Sequence, residues 1–83
     1  MKYAVADLGL VAFLTLRGFR QTEVEVDGRR CIFLFSESPE IREAQRAYEA
    51  DSTEVPPQRF YKALRAIRVL TADIKAHAQP TTN

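Results

Sequence analysis

The chain is poor in the residues that most often carry chemistry: its 83 residues include one cysteine, one histidine and no tryptophan. A lone Cys31 cannot close an intramolecular disulfide, so a disulfide-scaffold fold is excluded and a reducing, cytoplasmic setting is expected. A lone His77, with no cysteine or second histidine beside it, completes neither a metal-ligand set nor a proton-transfer pair. Glycine is scarce too, at three residues. None falls into a phosphate-binding or dinucleotide-binding loop, and no HExxH or CxxC motif is present. No cofactor and no metal are therefore expected, and the chain is not expected to be an enzyme. The longest apolar stretch, near Leu8 to Leu16, is far below the roughly 20 residues needed to span a bilayer, so no membrane span is expected. No charged leader followed by an apolar run opens the sequence.

What is present is an ordinary globular composition, 46% hydrophobic and 28% charged, which argues against disorder. The length suits one core rather than two. We expect a single domain over residues 1–78 and a flexible tail over 79–83. A domain this small has a thin stability margin, and a second copy would widen it.

Hydrophobic patterning predicts an α+β fold of order (β)αββαα: a small antiparallel sheet, made of a hairpin and an N-terminal edge strand, packed by three helices. Residues 1–6 alternate weakly and read as the edge strand. Asp7 stands at an N-cap position, Leu8 to Arg17 are good helix formers, and Gly18 stands where a helix end needs positive φ. Leu8, Leu10, Val11, Phe13, Leu14 and Leu16 point in nearly every direction around that helix. It is either central to the core or partly buried in an interface, and the second case predicts a homodimer through Leu10 and Leu14.

Residues 19–26 and 30–36 flank Asp27-Gly28, a dipeptide favoured in two-residue hairpin loops. With those two residues as the loop, Val26 faces Arg29, Val24 faces Cys31, Thr22 faces Phe33 and Glu25 faces Arg30. Val24, Val26, Cys31, Phe33 and Phe35 then share one face, where Cys31 packs as a small hydrophobe. Ile32 and Leu34 place apolar groups on the other face, so the second hairpin strand is expected to be central or covered on both sides. Glu23, Glu25 and Asp27 read as a solvated strand face. Ser38-Pro39-Glu40 starts a second helix that runs to about Ala50. Residues 51–55 connect it to Pro56-Pro57, which opens a third. On that helix Phe60, Ala63, Leu64, Ile67, Leu70 and Ile74 fall within an arc of roughly 120°, a buried stripe.

Net charge is +1, which by itself gives no reason for a polyanion partner, but the charges are unevenly placed. From Glu37 to Glu54 six acids and two bases give −4, whereas from Arg59 to His77 five bases and one acid give +4. Lys62, Arg65 and Arg68 lie opposite the buried stripe with Tyr61 beside them. Such a basic ridge suits a phosphate backbone or an acidic protein surface, although solvated helix faces have the same pattern.

The run Asp7-Leu8-Gly9-Leu10-Val11-Ala12-Phe13-Leu14 with Gly18-Phe19, then Cys31-Ile32-Phe33-Leu34-Phe35, then Val55-Pro56 before Phe60 and Leu64, resembles a family of short prokaryotic and phage domains of unknown function. These are capping and core positions. The resemblance therefore implies a fold and a prokaryotic or phage origin, and transfers no catalytic or ligand residue. The expected function is a non-catalytic small binding module, associated with nucleic acid through Tyr61, Lys62, Arg65 and Arg68. The alternative is a protein-protein interaction domain, adaptor or inhibitor, acting as a homodimer.

Overall fold

A computed structural model describes residues 1–78, the last two through their backbone only. The elements follow the expected order: β1 (Lys2–Val5), α1 (Leu8–Leu16), β2 (Gln21–Asp27), β3 (Arg30–Ser36), α2 (Pro39–Glu49) and α3 (Pro57–Ala78). The fold is α+β. The tail expected over 79–83 lies outside the described residues.

Both ends of α1 are set locally. The Asp7 carboxylate accepts from the amides of Gly9 at 2.9 Å and Leu10 at 3.3 Å, satisfying donors that the first helical turn leaves free. At the other end Gly18 takes φ +95°, and the amides of Gly18 and Phe19 return to the carbonyls of Thr15 and Leu14. That pairing is a Schellman motif, which needs left-handed backbone at its glycine. The same motif closes α2, where the amides of Asp51 and Ser52 donate to the carbonyls of Tyr48 and Ala47. Here Asp51, not glycine, holds the left-handed position at φ +56°.

The sheet has the order β1-β3-β2, antiparallel throughout, so β3 is central as expected. Tyr3 and Val5 sit opposite Phe35 and Phe33, while Val24 sits opposite Phe33 and Val26 opposite Cys31. One face thus gathers Val5, Cys31, Phe33 and Phe35, which form one core cluster with Leu10, Val11, Phe13, Leu14, Ile41 and Ile67 from the helices. Burying each large side chain of this kind contributes about 1.5–3 kcal/mol. Leu34 is of opposite parity and buried outside that cluster. Across β3 from it, an ion pair between Lys2 and Glu23 links the two edge strands.

The hairpin register differs from the expected one. Asp27 pairs with Arg30, so the loop is Gly28-Arg29 rather than Asp27-Gly28. Gly28 has φ +65° and Arg29 has no positive φ, the sign pattern of a type II′ turn, which asks for glycine at its first position only. Asp27 can then remain in the strand opposite a cation. From Glu23 to Asp27 each pair moves by two residues, so Val24 faces Phe33 and Glu25 faces Ile32. An even shift leaves side-chain parity unchanged, and the expected shared face survives. Thr22 does not face Phe33. The ladder is irregular between Gln21 and Glu23, and the Thr22 hydroxyl donates to the Leu34 carbonyl at 3.1 Å.

Gly28 has open space around it but a backbone that β-branched residues resist. Gly28→Val is expected to destabilise the domain by about 1 kcal/mol or more, read as a lower thermal midpoint. An unchanged midpoint would contradict the turn described here.

Candidate functional site

Pro57 occupies the first turn of α3, and the Phe60 amide donates to the Pro56 carbonyl at 3.0 Å. From that start the helix turns Phe60, Leu70 and Ile74 against the core and buries Ile67 within it. Thr71 is buried on the same side, and its hydroxyl donates to the Arg68 carbonyl at 2.9 Å. The opposite face is open. Lys62, Arg65 and Arg68 are all exposed there, with Tyr61 at 61% exposure. The structure thus brings these four residues onto one surface, over a helical rise of about 10 Å. None of the three cations joins an ion pair among the described residues. Asp73 is the one acid in α3.

Val69, 64% exposed on this face, was not among the residues singled out from the sequence. Its signal was available: at 100° per residue it falls outside the buried stripe and close to Lys62.

Leu10 and Leu14 require a correction. Leu10 is 4% exposed and Leu14 0%, both enclosed by their own chain, so neither offers surface to a second copy. The all-round apolar pattern of α1 reflects a central helix, in contact with α3, α2 and β1. Cys31 is buried in the core, with its Sγ 3.9 Å from the Thr71 carbonyl. The side chain of His77 lies outside the described residues. Among the described residues no helix is long and apolar enough to cross a membrane, and no group of three His, Cys, Asp or Glu gathers as metal ligands.

A second surface lies where the end of α2 meets α1. The Phe13 and Tyr48 rings are 5.3 Å apart at 37°, and the Arg17 guanidinium lies 5.1 Å from the centre of the Phe13 ring. Burial pushes the Tyr48 phenol above its ordinary pKa, and the Asp7 carboxylate acts in the same direction. Beside this stack opens a cleft of about 410 Å³, lined by Phe13, Tyr48, Val55 and Phe60, with Glu49, Asp51 and Thr53.

These features define a small α+β domain with capped helices, an aromatic core and a proline-started last helix. Residues 1–72 match a family model described as "Domain of unknown function (DUF5659)", and the chain belongs to that family. The match spans the sheet, α1, α2 and the part of α3 that carries Tyr61, Lys62, Arg65 and Arg68. No curated protein and no solved structure matches the chain.

Gly9 explains how α2 approaches α1 so closely. A Cβ at position 9 would lie 2.5 Å from the Tyr48 Oη and 3.3 Å from the Asp7 Oδ1. Alanine in a helix normally gains about 1 kcal/mol over glycine. Gly9→Ala is nevertheless expected to lower the thermal midpoint, because the Tyr48 ring must move. Adding Tyr48→Phe, which removes the clashing oxygen, should recover at least half of the loss. Stabilisation by Gly9→Ala alone would show that the helices do not approach this way.

Proposed function

We propose that the domain is a non-catalytic binding module that associates with nucleic acid through the outer face of α3. The observation that carries this reading is the group of three exposed cations, outside any described ion pair, set on one helical face with the exposed Tyr61. Lys62, Arg65 and Arg68 supply point charges and planar guanidinium groups for phosphate oxygens. Tyr61 supplies a ring on which an unpaired base can stack, a contact worth about 1–3 kcal/mol in single-strand binders. Three such charges give weak, electrostatic association, with sequence preference arising elsewhere if at all.

An acidic protein surface is the second reading. It is favoured by Val69, whose exposed side chain sits among the cations and has no role against a phosphate backbone. The charge arrangement is common to both readings, and salt dependence towards oligonucleotides separates them.

Anisotropy titrations of labelled single-stranded and duplex oligonucleotides provide the test. For duplex DNA, three phosphate contacts predict a slope of about −2.7 in log K against log salt. Lys62→Glu with Arg65→Glu should weaken binding about tenfold or more at low salt and flatten the slope. Binding that ignores salt, or that the double substitution leaves intact, would remove α3 from the reading. Flat titrations would favour the protein partner.

A further inference from the structure

We propose that the cleft between α1, the end of α2 and the start of α3 receives an arginine side chain from a partner polypeptide. This inference concerns the acidic side of the molecule and does not rest on the nucleic-acid reading.

The wall of the cleft is apolar and aromatic, formed by the half-buried Tyr48, Val55 and Phe60, with the buried Phe13 behind them. Its rim holds two exposed carboxylates, Glu49 and Asp51. Glu49 accepts from the Gln45 amide at 2.9 Å, which leaves acceptor capacity on its carboxylate. Asp51 has no ion-pair or hydrogen-bond partner for its side chain among the described residues. A purely apolar occupant would strip water from these carboxylates without replacing it, at a cost that apolar contact with a shallow wall does not offset. A second anion would be repelled. The occupant must therefore combine an apolar stem with a cationic head.

Arginine fits better than lysine. Its planar guanidinium lies against aromatic rings and can bond a carboxylate with two parallel N–H groups, whereas an ammonium is a compact, strongly hydrated point charge. The chain already shows the first of these contacts in Arg17 over Phe13. The three methylenes of arginine would lie along Val55 and Phe60. The surrounding segment reinforces the charge, since residues 37–54 carry −4. A polypeptide source follows from the openness of the site: a groove at the junction of three helices admits a side chain projecting from a backbone that stays outside.

The test is a heteronuclear NMR titration of the isotopically labelled domain with acetyl-Gly-Arg-Gly-amide. The neutral isostere acetyl-Gly-citrulline-Gly-amide serves as the control. The arginine peptide should produce saturable shifts at the amides of residues 48–55 and of Phe60, and the citrulline peptide should produce little. Glu49→Gln with Asp51→Asn should weaken the arginine response about tenfold, since both charges are removed while asparagine tolerates the left-handed backbone at position 51. Equal shifts from the citrulline peptide would overturn the proposal. So would an arginine response centred on Glu23 and Glu25 of β2, or the absence of saturable shifts. The comparison of the two peptides uses the unmodified chain, so the result stands even where the double variant folds poorly.

Discussion

A nine-residue helix whose residues Leu10 to Leu14 are all buried must be enclosed on every side, and the other elements are arranged to enclose it. The sheet supplies one wall through Val5, Phe33 and Phe35. α3 supplies another through Ile67 and its neighbours, and α2 closes the flank with Ile41. The middle of α1, Leu10 to Leu14, has almost no solvated surface, and of the rest only Thr15 is exposed. Exposed side chains lie instead on the outward faces of the elements around it, among them α3 and the junction near Tyr48. The precision of this enclosure depends on Gly9, where the Tyr48 hydroxyl comes closer than any side chain at position 9 would permit.

Much of this was legible in the sequence because local chemistry and packing agree. Asp7, Gly18, Ser38 and Pro57 each do at the helix ends what their residue types favour, and Phe60, Ile67, Leu70 and Ile74 of the α3 stripe face the core. The hairpin was legible down to its faces but not its register. Asp-Gly serves either as both loop residues or as the last strand residue and first loop residue, and only the pairing of Asp27 with Arg30 distinguishes them. The surroundings of α1 were not legible, since an apolar pattern around a whole helix fits a central helix and an interface equally well. Its burial by Phe33, Phe35 and Ile67 is a tertiary fact.

The candidate site divides in the same way. The basic ridge is local to one helix, so helical spacing alone places Lys62, Arg65 and Arg68 together. The cleft draws Phe13 from α1, Tyr48 and Glu49 from α2, Asp51, Thr53 and Val55 from the connection, and Phe60 from α3. No periodicity in the sequence joins residues from four segments. The left-handed Asp51 is likewise invisible until the end of α2 is seen, because a glycine there, as at position 18, would be the expected residue. The outcome is a domain with two oppositely charged outer regions around one shared core.

The central claim is that the outer face of α3 is the working surface of this domain. Chemical-shift mapping with a short DNA duplex and a matching single strand locates that surface directly, independently of affinity. The account predicts perturbations concentrated on residues 58–69, strongest at Tyr61, Lys62, Arg65 and Arg68, and fading as salt is raised. Perturbations spread evenly over the exposed bases, or centred on Arg20, Arg29 and Arg30 with α3 unmoved, would contradict it.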